Sequence, residues 1–422
     1  LLDGVGELTD DEKKLLRMKA KSDEDSIKYA EKFHADLIND EAKKALKAIA
    51  IIKKIETRRN LYYKNYWGIR HWKTGKIHAS ANQCAAVTRR YSYSNPNLQQ
   101  LPKKGEGVRF RGCFKPHHKK AVVASIDFSG QELRLAAERS QDKNLLACYV
   151  GDHLMDVHSI TAAGAMDEKW GREKVKALFT QYSPETAAQY LDPDAQYRMF
   201  MGLRELPKSD PVKKEADDLR KDAKNVNFLA QFGGGPVKLA FKLTIKVTDS
   251  KLFLDARSAR FPDVDKASKK AEQKCLSTGY ATTLMGSRRH LAKGIMSDDR
   301  SESSRAARQA WSMEIQGSAG EMTKLAMGRL WRSGVLWRLD CRFIAMVHDE
   351  LVTSVAEKDA VEFLKVKHEC MTAQYADMRV PVLGSISIGP DFAEQIECGD
   401  YYDAEAIRQA LNDIFHKEEA CA

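Results

Sequence analysis

The sequence predicts a mixed α+β fold organised around one antiparallel sheet, and three observations predict it. Ala121 to Ile126 is an unbroken apolar run that stops at a carboxylate, Asp127, then turns at Ser129-Gly130 into helical spacing at Leu133, Leu135 and Ala136. Arg342 to Val355 reads as two short apolar strands flanking His348-Asp349-Glu350, a hairpin with acids at its tip. Much of the remainder has helical periodicity, clearest in Glu215 to Phe232 and Ser303 to Leu330.

Size and charge bound the function. At 422 residues, 43% of them apolar, the chain can bury a large core in two or three domains. Its 69 Lys and Arg against 59 Asp and Glu give a net charge of +10, which favours a polyanionic partner only weakly. The eight cysteines are scattered without CxxC spacing, and His117-His118 has no matching Cys pair, so no zinc site is expected. Scattered thiols suit a reducing compartment. No apolar run approaches the ~20 residues of a membrane span, and there is no signal peptide at the start, so a cytoplasmic location and no membrane partner are expected. The chain starts at Leu1 rather than Met, which leaves room for an upstream domain.

In chain order, residues 1 to 60 read as charged helices, with Ala42 to Ile55 the clearest amphipathic piece. Leu61 to Lys76 interleaves Tyr62, Tyr63, Tyr66, Trp67 and Trp72 with bases. That pattern suits a nucleic-acid groove, and equally a core edge with snorkelling lysines. Thr88 to Pro102 is polar and irregular, which asks for a ligand or for solvent. Arg109 to Phe114 alternates and leads into the Ala121 strand. Asp156 and His158 stand at the start of a helix, and residues 161 to 210 read as an insertion with two polar loops. In Glu215 to Phe232, Arg220, Lys224, Phe228 and Phe232 fall at four-residue steps, so they line one helix face before Gly233-Gly234-Gly235-Pro236 ends it. Two cations followed by two aromatics suit a triphosphate at one end and a base ring at the other. A solvated basic end running into a packed apolar end has the same pattern. Gly279 to Leu291 reads as a short hairpin. A helix near 357 to 376 and a strand near 380 to 388 follow the acidic hairpin.

Asp127 alone is as well read as an ordinary turn residue. Paired with Asp349, each after an apolar strand, it becomes a candidate metal ligand. Two such carboxylates on adjacent strands could share two divalent ions about 3.5–4 Å apart, an arrangement that stabilises the attacking and leaving oxygens of an in-line phosphoryl displacement. Mg2+ suits such a site, since it takes carboxylate and phosphate oxygens. Arg220 and Lys224 would supply the cationic clamp on the phosphates. There is no Walker A motif, so no glycine-rich loop holds the phosphate.

DFSGQELR, RKDAKNVNFLAQFG and VHDE, in this order, resemble motifs A, B and C of the family A DNA polymerases. TRRYSYSNPNLQQLP resembles that family's TGRLSS-x-x-PNLQNIP segment, and Phe110 to Phe114, Asp156-x-His158 and Gln316-Gly317-Ser318-Ala319 match in order. The resemblance spans roughly residues 70 to 390. It implies a right-hand polymerase: a partial helical thumb at 1–75, an antiparallel-sheet palm at 76–150 and 303–422, and helical fingers at 151–302 with an insertion at about 161–210. It implies that Asp127 and Asp349 bind two Mg2+ ions, with the Phe128 carbonyl as a further ligand and Glu350 in support. Arg220 and Lys224 would grip a dNTP, Lys224 serving as general acid toward pyrophosphate, with His158 assisting. Phe228 and Phe232 would lie near the nucleotide and the templating end. Glu132 would be the steric gate against a ribose 2′ hydroxyl. Arg90, Asn97, Gln99, Arg308, Gln316 and His348 would contact primer-template DNA.

Departures from the family pattern are Gly130, where bacterial enzymes commonly have Gln and a phage-like branch has Gly; Arg89 in place of Gly; Phe232 in place of Tyr; and Ser312 where Asn is frequent. No acidic exonuclease motif precedes motif A, so no proofreading by this chain is expected, and replication accessory proteins are left open as partners. The rival readings are a single-subunit RNA polymerase relative, against which Glu132 argues, and a non-catalytic nucleic-acid-binding protein, against which the intact acids and cations argue.

Overall fold

Val122, Val123, Ala124 and Ile126 are all fully buried, so both faces of their strand are covered. That burial places β1, Ala121–Phe128, at the centre of a sheet. The computed structural model describes residues 28–29, 32, 40–103 and 105–416. With β2 (Cys341–Val347), β3 (Glu350–Ala356), β4 (Gly384–Gly389) and β5 (Ile396–Gly399), β1 forms a five-stranded sheet in the order β2-β3-β1-β4-β5. Every pairing is antiparallel. The register sets Asp127 opposite Glu350 and Phe128 opposite Gly384. Only two residues, His348 and Asp349, join β2 to β3, and His348 takes φ 61° to close that turn.

By its contacts the chain forms two compact units, the described residues of 1–56 with 140–267, and 57–139 with 268–422. The second unit holds the sheet. Helix Ala360–Thr372 packs on it through Phe363, Leu364 and Met371. Helix Gln131–Ser140 follows β1 after Gly130, whose φ of 63° explains the glycine at that turn. The first unit is helical around Phe179, Phe200, Leu203, Leu219, Val226 and Phe253. The α+β class expected from the sequence therefore holds. No helix of the described residues is long and apolar enough to cross a membrane.

Two local expectations need correction, and two further stretches gain detail. Arg109 to Phe114 leads into β1 through a 3-10 helix, Gly105–Cys113, rather than by alternation. Phe110 packs on Tyr62 with ring centroids 4.5 Å apart, and buried Arg111 donates to the Pro102 carbonyl at 3.0 Å, which keeps the segment coiled. The long helix over Ser303 to Leu330 is two helices, Arg300–Ser312 and Ser318–Arg332, joined by a π-helical turn at Met313–Gly317. The aromatic stretch at 61–76 divides. Tyr62 is buried with its hydroxyl on the Gln100 carbonyl at 2.5 Å, whereas Tyr63 and Trp72 are exposed. Residues 161–210 contain helices Met166–Trp170, Arg172–Tyr182 and Pro193–Glu205, which contribute Phe179, Met199 and Phe200 to the core. The helices expected over 1–39 fall largely outside the described residues, as does the tail after 416.

Candidate active site

The β1 end and the β2–β3 turn bring Asp127, Asp349 and Glu350 together, because antiparallel register leaves these acids at one end of the strands. Lys103 Nζ stands 3.6 Å from Asp127 Oδ2 and 3.8 Å from Glu350 Oε2, and Arg111 Nη1 is 4.0 Å from the same Glu350 oxygen. Burial, then the neighbouring Asp349 charge, lifts Asp127 to about 7, with Lys103 pulling it back and Glu350 adding to the rise. Asp127 Oδ1 is buried with no hydrogen-bond partner among the described residues. Crowded carboxylates with an orphaned oxygen fit a hard divalent cation, which takes oxygen ligands and removes the repulsion. A pocket of about 250 Å³ opens beside them, lined in part by Lys103, Arg111, Ser125 and Ser385.

Glu132, in the first turn of its helix, is paired with Arg90. Burial raises the Glu132 carboxyl, and the Arg90 guanidinium pulls it down. Arg90 lies close against Gly320, where an added Cβ would come 3.1 Å from the Arg90 backbone nitrogen. A larger residue there would press on the Arg89–Arg90 backbone. Asn97 and Gln99 both have local tasks: Asn97 Oδ1 accepts the Gln99 N–H at 3.0 Å, and the Gln99 side chain donates to the Tyr91 carbonyl at 2.8 Å. Arg308 is exposed, and Gln316, in the π-turn, accepts from Ser312 Oγ at 3.3 Å. His348 is exposed at the hairpin turn next to Asp349; partial burial lowers its pKa and the Asp349 charge raises it.

The cationic helix lies in the first unit. Helix Pro211–Gln231 starts at Asp210, whose carboxylate accepts the Val212 N–H at 2.8 Å, with Pro211 in its first turn. Ala216, Leu219, Ala223, Val226 and Asn227 face the core. Arg220, Lys224 and Phe228 consequently lie on the other side, with Phe232 at the C-cap. Gly234 is required beyond it, since a Cβ would come 2.8 Å from the Leu229 carbonyl. Lys224 is exposed with no ion-pair partner among the described residues, its Nζ 6.0 Å from the Phe228 ring centroid. Arg220 donates to both oxygens of Asp156, at 2.6 and 3.0 Å. That pair raises Arg220, and hydrogen bonds from Arg220 and Ser159 hold Asp156 down at about 2 against burial.

His158 is buried on helix Val157–Gly164, its ring 6.0 Å from Phe228. The Asn227 amide donates to His158 Nδ1 at 3.1 Å, which assigns the imidazole proton to Nε2. Burial takes His158 down to about 4, with Asp156 pulling up and Arg220 and Lys224 pushing down. It is a neutral donor at pH 7, not a third cation. The unfolded chain therefore binds a proton that the native state refuses between pH 6.5 and about 4. Stability contributed at pH 7 is lost as pH falls through that window, by up to about 3 kcal/mol. His158→Gln should reduce the drop in melting temperature between pH 7 and 4.5; an unchanged drop would contradict this reading.

Sequence reasoning missed several residues at these sites. Lys103 and Arg111 carried no signal for facing the acids. Lys367 had one, since Phe363, Lys367 and Met371 share one helix face. Its fully buried ammonium donates to the Ala124 carbonyl at 3.0 Å, the Leu351 carbonyl at 2.8 Å and Thr353 Oγ1 at 3.0 Å, tying β1 to β3 behind the acids. Burial pulls it down to about 7, and the Glu350 charge pulls it back up.

The chain matches the family model "DNA polymerase family A" over residues 6–178 and 205–394. It is similar to DNA polymerase I of Chloroflexus aurantiacus, 29% identical over 326 residues that make up 76% of this chain and 29% of that one. Thermostable DNA polymerase I of Thermus aquaticus is 29% identical over 76% of this chain and 33% of its own. DNA polymerase I of Pseudomonas aeruginosa is 30% identical over 76% and 30%. The chain spans about a third of the length of these relatives. All three are bacterial, and they lend no support to the phage-like branch expected from Gly130. Among solved structures, the POL domain of Pol1 from M. smegmatis, in complex with DNA primer-template and dNTP, is similar in fold, with a TM-score of 0.62 at 24% identity over 83% of this chain and 52% of that one. With the family match covering most of its length, the chain belongs to DNA polymerase family A.

Proposed function

We propose that this chain extends the 3′ end of a primer on a DNA template, using dNTPs and two divalent ions, Mg2+ for preference. The observation that carries the proposal is the acid cluster at the end of β1, with the buried Oδ1 of Asp127, which has no hydrogen-bond partner among the described residues, and an excess of negative charge that a cation would offset. The family membership and the relatives named DNA polymerase I support it. The solved relative's complex with primer-template and dNTP supports the choice of substrates.

In this reading the primer 3′ hydroxyl attacks the α-phosphorus of the dNTP, a new phosphodiester bond forms, and pyrophosphate leaves. Asp127, Asp349 and the Phe128 carbonyl would hold the ions, and Glu350 keeps the acid cluster in place beside Lys103 and Arg111. When bound, the ions neutralise charge on the attacking and leaving oxygens. Arg220 and Lys224 bind the triphosphate, and Lys224 protonates the departing pyrophosphate. His158 donates a neutral hydrogen bond from Nε2 to a phosphate oxygen. Phe228 and Phe232 stack near sugar and base, while Arg90, Asn97, Gln99, Arg308, Gln316 and His348 follow the primer-template. The local bonds of Asn97 and Gln99 give them their orientation.

Primer extension with dNTPs against rNTPs tests the substrate. Robust dNTP incorporation and poor rNTP incorporation are expected, and comparable rates would favour the RNA polymerase reading. Glu132→Ala opens the space that a 2′ hydroxyl needs and frees Arg90. It should improve rNTP use relative to dNTP by roughly 10- to 100-fold, about 1–3 kcal/mol of discrimination, read as the ratio of kcat/KM values. An unchanged ratio would remove Glu132 from the gate role.

A further inference from the structure

The two segments that match the family model leave residues 179–204 between them, and this interval reaches back to the phosphate-binding residues through helix Pro193–Glu205. The helix begins at Asp192, whose carboxylate accepts the Ala195 N–H at 2.8 Å, and it buries Ala195, Met199, Phe200 and Leu203. This anchoring fixes which way its polar face points. Tyr197 Oη accepts the Asp156 N–H at 2.9 Å. Arg204 donates from Nε to Asp217 at 3.2 Å, and its Nη1 lies 3.4 Å from Ser159 Oγ and 3.9 Å from Asp156 Oδ2.

Asp156 therefore faces two guanidinium groups. Arg220 holds it bidentately, and Arg204 waits at the edge of contact with the same Oδ2. In the reading given above, Arg220 binds a triphosphate. To present its fork to phosphate oxygens it must give up at least one bond to Asp156. A partly buried carboxylate that loses its cation is costly, and the cost would be subtracted from nucleotide affinity. We propose that Arg204 is a positioning residue that takes over Asp156 as Arg220 turns to the triphosphate, so that Arg220 is released at little electrostatic cost. Asp217 holds the Arg204 guanidinium within reach, and the Tyr197 hydroxyl keeps the Asp156 backbone in place during the exchange. Arg204 touches no substrate; it acts through Asp156.

The inference rests on the proposed nucleotide role of Arg220, and its test reads binding rather than turnover. The assay is dATP binding, with Mg2+, to the full chain on a dideoxy-terminated primer-template whose next template base is dT. Arg204→Gln should weaken dATP binding roughly tenfold with an unchanged melting temperature, since one charge-assisted contact is lost. Arg204→Lys should retain most of the affinity, which keeps the test readable if the Gln variant is unstable. In an Asp156→Asn background, where no charge is left to neutralise, Arg204→Gln should have no further effect. Equal affinity in wild type and Arg204→Gln would overturn the proposal. So would an equal loss in both backgrounds, which marks a structural role, or a wild-type chain that binds no dATP. Binding without extension of an unblocked primer would instead contradict the polymerase reading and leave this inference standing.

Discussion

Asp127→Ala is expected to lower primer extension by about 1,000-fold or more while leaving the fold intact, because it removes one of the two carboxylates that would hold both ions. The side chain is 38% exposed and stands beside Lys103 in the acid cluster, so its loss opens no cavity in the core. The metal-free variant should be more stable than wild type. Asp127 is lifted to about 7, so ionising it at pH 8 opposes folding, and deleting it relieves that repulsion. After discounting for solvent exposure, the gain is on the order of 1 kcal/mol. Mg2+ should raise the melting temperature of wild type and not of Asp127→Asn, since a ligand that binds only the native state stabilises it by mass action. Single-turnover extension and thermal melts with and without Mg2+ check both halves. Undiminished extension would remove Asp127 from the site, whatever the melts show.

Lys224→Ala should cost roughly 100- to 1,000-fold in kcat, the scale of removing one preorganised charge donor from a developing anion. Its surroundings make this a clean experiment. Lys224 is exposed, has no ion-pair partner among the described residues, and sits in a helix interior where Ala is well tolerated. Stability should stay within about 0.5 kcal/mol of wild type. Lys224→Arg separates charge from proton donation. It keeps the cation, so KM for dNTP should change little, but a guanidinium does not release a proton at working pH, so kcat should still fall. If Lys224→Arg restores full kcat, Lys224 binds the triphosphate without acting as an acid.

The sheet and its acids were legible because their signals are local. β1 is apolar on both faces, the two-residue turn between β2 and β3 carries the second acid, and antiparallel pairing then brings the two together. The Arg220–Phe228 face was legible from four-residue spacing. What stayed hidden depends on partners distant in sequence. Nothing near Glu132 announces Arg90, and nothing near Asp156 announces Arg220 and Arg204. Lys367 looks like a surface lysine until its helix face is seen to be the buried one. The π-turn at Met313–Gly317 holds one breaker, Gly317, which is also tolerated inside a helix, and a π-turn changes only the hydrogen-bond register. His158 was expected to assist at the phosphates; its neutrality follows from burial and the Asn227 bond, neither of which the Asp156-x-His158 spacing contains.

We propose for this chain metal-dependent, template-directed DNA synthesis that relies on Asp127. It is tested most directly by incubating the purified chain with a primed template, Mg2+ and each dNTP in turn, with Asp127→Ala as the control. The primer is expected to grow by the nucleotide complementary to the next template base, growth to stop on chelation of Mg2+, and the variant to fail to extend. Growth that ignores the template base, or that is equal in wild type and variant, would contradict it.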